Sequence, residues 1–272
     1  MLSSRDPFHI SLRTMSYHES ASPKDPAVAF RATTLSIVDR FVHLTFKSSG
    51  VCYLIGGWFF LIGSILFYPR YFTLYGEDGQ GPLIGGWLFL FGCIGFLVGS
   101  LIEVVNARTA HIGAVDWQRY IPITTAVSNV IGSVCFVYGG VFFLPTYYAE
   151  DPALGCYLFV AGCAVFSFAI FADIPRMIRA NQPVVGLWTT VAVFNMVGNT
   201  LFIVGSYYFL PKFLFVEGDT AVDNLVYSTN YFVVGSIAFI IAPIAQVLAT
   251  HNDFVADVPI AAAEDKPVAN AA

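Results

Sequence analysis

Three stretches of this chain follow one pattern: Gly56–Pro69 (GGWFFLIGSILFYP), Gly132–Pro145 (GSVCFVYGGVFFLP) and Gly198–Pro211 (GNTLFIVGSYYFLP). Each reads glycine, six residues, glycine, serine or glycine, two residues, phenylalanine, tyrosine or leucine, and proline. Proline cannot continue a helical hydrogen-bond ladder, so each copy ends an apolar helix at the same point. A polar loop and a second apolar run follow every copy. The repeating unit is therefore a helical hairpin, present three times.

Six apolar segments result, at about 50–68, 82–104, 121–144, 152–172, 184–210 and 229–249. A transmembrane helix needs roughly 20 apolar residues, and each segment is close to that or longer. Hydrophobic residues make up 57% of the chain and charged residues 11%, against about a quarter charged in soluble proteins. The expected fold class is all-α: a polytopic membrane protein with six transmembrane helices, arranged as three parallel-repeat helical hairpins. Two spans per unit leave all units in one orientation, related by an axis along the membrane normal. A pseudo-threefold bundle follows, with the glycine faces of the first helices expected near one another.

The expected organisation is a disordered N-terminal tail (1–33), a membrane domain (34–249) with repeats at about 50–105, 121–180 and 184–249, and a disordered C-terminal tail (250–272). Residues 1–33 hold no apolar run of the kind a cleaved signal peptide needs. Over 34–47, Ile37, Phe41 and Leu44 share a helical face, which predicts an amphipathic helix in the interface before the first span. Arg40, Lys47, Arg108, Arg119, Arg176 and Arg179 flank the spans on one side, against Arg70 and Lys212 on the other. That asymmetry places both termini in the cytoplasm. The opposite loops carry Glu77, Asp78, Glu150, Asp151, Glu217, Asp219 and Asp223, and aromatic residues follow each motif proline, as suits a membrane interface.

Gly56 and Gly63, Gly132 and Gly139, and Gly198 and Gly205 are spaced by seven residues in the first helices. Gly85 and Gly92, and Gly155 and Gly162, repeat the spacing in the second helices. Seven residues are about two helical turns, so each pair marks one face. Close backbone approach there holds helices together in lipid, where apolar expulsion supplies no force. Phe89, Phe159 and Phe232 also align. The first-helix run Gly56–Phe67, with its LFLIGS-type sequence, and GGWLFLFGCIGFLVGS at Gly85–Ser100, with WLF-x-x-G, resemble the YrhK-like family of small two-helix membrane domains. The resemblance is closest over 50–105, weaker over 128–180 and weakest over 190–249. It implies an integral membrane protein and supplies no catalytic residues. Three copies in one chain depart from a single-unit protein.

Several function classes are excluded by composition and motif. The net charge of −5 is small and says nothing about nucleic acid, but no basic stripe of the kind phosphate binding requires is present, so no nucleic-acid partner is expected. Cys52, Cys93, Cys135, Cys156 and Cys163 all fall in or beside apolar runs and read as small buried hydrophobes. The five histidines are scattered, so no metal or other cofactor is expected, and Gly76–Gly79 reads as an ordinary turn. HExxH, GxSxG, P-loop and GxGxxG patterns are missing, so no enzyme is expected.

The polar residues in the spans are more informative. Glu103 and Asp173 occupy equivalent positions in second helices, with Gln246 third. Asn129 and Asn195 are equivalent in first helices, where the first unit has Tyr53. Ionisable groups in a membrane point to function by default, so one reading is a polar ring on the axis that binds a cation or proton. The favoured reading puts Glu103 and Asp173 at the water interface, paired with Arg108 or Arg176, and makes the asparagines interhelical hydrogen-bonding groups. The corresponding function is a structural or interaction module, its partners the lipid bilayer and a second copy or another membrane protein. The alternative is a channel or transporter for a small ion or solute along the pseudo-threefold axis, with no substrate named by the sequence.

Overall fold

The computed structural model describes residues 48–110, 117–179, 181 and 183–257. The tail expected over 1–33 and the amphipathic helix expected over 34–47 lie outside these residues. Six long helices carry the structure: α1 (Ser49–Leu66), α2 (Gln80–Ala110), α3 (Trp117–Phe142), α4 (Leu154–Arg179), α5 (Leu187–Tyr208) and α6 (Asp219–Asp257). All six are long and apolar enough to cross a membrane, and no strand occurs among the described residues. The protein is an all-helical, multi-pass integral membrane protein.

The motif prolines act at one end of the bundle. Pro69, Pro145 and Pro211 each open a short helical turn, at Pro69–Tyr71, Pro145–Glu150 and Pro211–Leu214. The residues before them, Tyr68, Leu144 and Leu210, are extended, with ψ of 139°, 135° and 147°, because a proline ring clashes with a helical predecessor. This end is the turn face; the end where α1 begins and α6 finishes is the termini face. In the first turn Gly76 and Gly79 take φ of 81° and 79°, where a Cβ is strained. Asp78 Oδ1 there accepts the Gly79 N–H at 3.1 Å, which makes the segment an ordinary tight turn.

α6 departs from expectation at both ends. It starts at Asp219 rather than near 229, and it runs to Asp257 rather than ending at 249. Asp219 in its first turn complements the helix dipole, so the helix continues beyond its apolar section. Residues 250–257 are therefore helix and not tail.

Each helix packs on its neighbours in chain order, and α6 closes the ring against α1. The motif glycines lie inside the hairpins, which corrects the expectation that the first helices bring their glycine faces together. A Cβ on Gly56 would sit 2.8 Å from the Gly92 carbonyl oxygen, and one on Gly63 2.9 Å from that of Gly85. In the second hairpin the equivalent distances are 3.1 Å from Gly132 to Gly162 O and 3.2 Å from Gly139 to Gly155 O. The third hairpin replaces its second-helix glycine by Ser228, whose hydroxyl donates to Gly205 O at 2.8 Å. Gly198 there faces the Phe239 ring, 2.6 Å from a Cβ.

Phenylalanine, instead of glycine, fills the axis. Phe67, Phe143 and Phe209 meet at centroid distances of 5.1 to 6.1 Å, and Phe60, Phe136 and Phe202 at 5.5 to 6.3 Å. Between these tiers lies the trio from the second helices, with Phe89 at 5.8 Å from Phe159 and 5.6 Å from Phe232. A fourth tier follows, with Phe96 at 6.3 Å from Phe166 and 5.4 Å from Phe239. The six rings of the two middle tiers are fully buried. Aromatic contacts in this range are favourable beyond simple area burial. The column is thus a solid core around a pseudo-threefold axis.

Contacts between hairpins use the small residue that follows a motif glycine. Gly57 abuts the Phe239 carbonyl on α6, and Gly140 abuts Leu90 and Cys93 on α2. Ser64 lies 3.4 Å from Ser236, and Ser133 3.0 Å from Ser100. The α4–α5 seam is the loosest of the six. Across it, Asn199 Nδ2 donates to Ser167 Oγ at 3.3 Å.

Candidate functional site

Every axial helix position recurs after seven residues, and the series continues past the last phenylalanine tier. In α1, α3 and α5 the next residues are Tyr53, Asn129 and Asn195; in α2, α4 and α6 they are Glu103, Asp173 and Gln246. These six side chains line a cavity of about 320 Å³ at the termini-face half of the bundle, with Phe96, Phe166 and Phe239 also in its wall. The structure thus brings Asn129, Asn195, Glu103 and Asp173 into one chamber, closed towards the turn face by the aromatic column.

The two acids are held differently. Glu103 Oε1 accepts from Ser49 Oγ at 3.0 Å and from Gln246 Nε2 at 3.3 Å, and its Oε2 accepts from Asn129 Nδ2 at 2.8 Å. Gln246 also donates to Ser49 at 2.8 Å. One carboxylate thereby ties α1, α2, α3 and α6 together through neutral donors. Neither Arg108 nor any other cation among the described residues pairs with it. Asp173 is instead gripped by Arg176, with Nε to Oδ1 and Nη2 to Oδ2 both at 2.6 Å, the bidentate geometry that strengthens such pairs. Asn195 lines the chamber without a hydrogen-bond partner among the described residues.

Tyr53 and three further lining residues carry a buried polar atom without a hydrogen-bond partner: Tyr53 Oη, Ser48 Oγ, Thr125 Oγ1 and Asn199 Oδ1. The Tyr53 hydroxyl lies near Glu103 and Ser100 but outside hydrogen-bonding geometry. A buried polar atom left without a partner costs about 1–3 kcal/mol, so their concentration around one cavity singles it out as the candidate site. Sequence reasoning missed Ser48, Ser49 and Thr125, which sit in ordinary helix-start or apolar contexts. The period of seven that makes Tyr53 and Gln246 continue the phenylalanine series was the available signal.

The polar tiers also break the symmetry that the aromatic tiers keep. Tyr, Asn and Asn face Glu, Asp and Gln, whereas all twelve positions above them are phenylalanine. Asp173 and Arg176 pair with one another, which leaves Glu103 as the acid of the chamber without a cationic partner among the described residues. No group of three or more His, Cys, Asp or Glu placed to hold a metal occurs among the described residues.

The helical-hairpin architecture agrees with the outcome of comparison with known families. The YrhK-like protein family model matches residues 47–107 and 187–250, which contain α1 with most of α2 and α5 with most of α6. The third hairpin is therefore matched and the second is not, the reverse of the order in which the sequence resembled the family. Comparison with curated proteins and with solved structures finds no match. In this membrane protein the first and the third hairpin each match the YrhK-like family.

Proposed function

We propose that the protein is a non-conducting, non-enzymatic membrane module that binds at its termini face, with both termini in the cytoplasm. The observation that carries this reading is the aromatic column. Four tiers of interlocking phenylalanines occupy the axis along which a solute would have to travel. Transport normally relies on intramembrane charge or on broken helices near the midplane. Here the acidic residues of the spans, Glu103 and Asp173, stand on one side of the column. The cytoplasmic assignment is supported by Arg108, Arg176 and Arg179 at the termini face, against Arg70 and Lys212 at the turns. The chamber opens where a cytoplasmic ligand, or the segment of a protein partner, would reach it.

Reconstitution into liposomes with a panel of ions and small solutes tests this. Flux no greater than through empty vesicles is the expected result. Flux above that level which disappears in a folded Asn129→Leu, Asn195→Leu variant overturns the reading in favour of a channel or transporter.

A further inference from the structure

We propose that the chamber is a binding site for a small organic cation, an amine of roughly one aromatic ring in size carried as its ammonium form. The proposal rests on the reading of the chamber as a one-sided binding site and adds the chemistry of its occupant.

Three observations point to this class. The first is charge. Arg176 satisfies Asp173 through two hydrogen bonds of 2.6 Å, which leaves Glu103 as the carboxylate without a cationic partner. Its oxygens already receive Ser49, Gln246 and Asn129, so the carboxylate is fixed in position. Each carboxylate oxygen has two lone-pair sites, and Oε2 receives only Asn129 in the structure. An ammonium group can donate to what remains.

The second observation is the set of unpartnered polar atoms. Asn199 Oδ1 can only accept, and it is buried with nothing donating to it. Tyr53 Oη, Ser48 Oγ and Thr125 Oγ1 can accept as well as donate. A guest rich in N–H donors and lacking acceptors fits this inventory. A carboxylate or phosphate guest would meet Glu103 instead of a free cation.

The third observation is the wall. Tyr53, Phe96, Phe166, Phe239 and Trp188 give the chamber ring surfaces beside its acids. Aromatic faces attract cations, with greater strength where water is excluded. A bare metal ion uses none of this surface, and about 320 Å³ lies at the lower end of the range for small-molecule pockets, roughly 300–1,000 Å³. The α4–α5 seam, the loosest in the ring, contributes Ile170, Met177 and Val191 to the chamber lining.

Trp188 supplies the readout. Trp58 and Trp87 are largely exposed on the outside of the bundle, so a variant with Trp58, Trp87 and Trp117 replaced by phenylalanine reports from the chamber. Benzylammonium is titrated into this protein in detergent and in liposomes, with benzyl alcohol and benzoate as neutral and anionic controls of similar shape, and with sodium and potassium as inorganic cations. Saturable change in Trp188 fluorescence is expected for benzylammonium alone. Glu103→Gln, which keeps the side-chain shape and can still pair with Ser49, is expected to weaken it at least tenfold. Asn199→Leu, on the opposite side of the chamber, is expected to weaken it in a protein whose Glu103 network is intact.

No saturable response to benzylammonium, an equal response to benzyl alcohol, a response unchanged in Glu103→Gln, or a Glu103-dependent response to sodium or potassium alone each overturns the proposal. Flux of benzylammonium across the same liposomes separates the two readings. Binding without flux supports both. Binding with flux keeps the ligand class and overturns the non-conducting module. Neither binding nor flux keeps the module and overturns the ligand.

Discussion

Replacing Gly57 by leucine is expected to leave little folded protein. A Cβ at this position lies 2.6 Å from the Phe239 carbonyl oxygen and 3.1 Å from its carbon, so the obstacle is backbone and no side-chain rotation removes it. The α1–α6 seam that would have to open closes the whole ring. It also carries the Tyr68–Asn230 hydrogen bond at 2.6 Å, the Ser64–Ser236 contact and the Gln246–Ser49 link to the chamber. Overpacking costs about 1–3 kcal/mol where neighbours can yield, and occasionally more; with backbone in the way the upper end is expected, a large share of a typical total of 5–15 kcal/mol. Ile55→Leu, on an exposed position of the same helix, is the control and should behave as wild type. The measure is the monodisperse fraction after extraction and its melting temperature. A Gly57→Leu protein that melts with wild type would show that α6 does not close the ring here.

Phe60→Ala is expected to destabilise the bundle by ~2 kcal/mol, and Phe59→Ala, one residue away, by less than about 0.5 kcal/mol. Phe60 is fully buried and meets the rings of Phe89, Phe96, Phe136, Phe202 and Phe239. The transfer from water that dominates such substitutions in soluble proteins contributes little here, because the alternative surroundings are lipid. What remains is the void: at about 24 cal/mol per Å³, a ring-sized hole of roughly 80–100 Å³ gives the figure above. Phe59 is only partly buried and has one ring neighbour, Phe91, at 6.0 Å. Lipid can fill what its removal leaves. Denaturant unfolding in detergent compares the two, and equal losses would mean that the column is not the core.

The hairpins, the helix ends at Pro69, Pro145 and Pro211, and the equivalence of Glu103, Asp173 and Gln246 were legible in the sequence because each depends on local order or on repeat alignment. The partner of a glycine face was not. Spacing of seven fixes a face of the helix but not what lies against it, and adjacent residues point about 100° apart at 3.6 residues per turn. Gly56 therefore serves its own hairpin while Gly57 serves the next. The aromatic column was hidden for a related reason. Among 26 phenylalanines, Phe59 and Phe60 look alike in composition, and only the seven-residue series Tyr53, Phe60, Phe67 separates axis from exterior. The Glu103 network joins Ser49 to Gln246 across nearly the full length of the membrane domain, and nothing local in either segment marks that contact. Arg108, close in sequence, looked the more natural partner.

The central claim is that the axis is blocked and the polar chamber opens on one side. Single cysteines at Asn195 and at Asp78, each in a background with Cys52, Cys93, Cys135, Cys156 and Cys163 replaced by alanine, test it in sealed vesicles with a small impermeant thiol reagent. Asn195 lines the chamber and Asp78 lies in a turn-face loop. The two positions are predicted to react from opposite sides of the membrane, Asn195→Cys from the side of the termini and Asp78→Cys from the other. Reaction of Asn195→Cys from the same side as Asp78→Cys, in protein that remains folded, would mean that the reagent passes the phenylalanine column and would contradict the account.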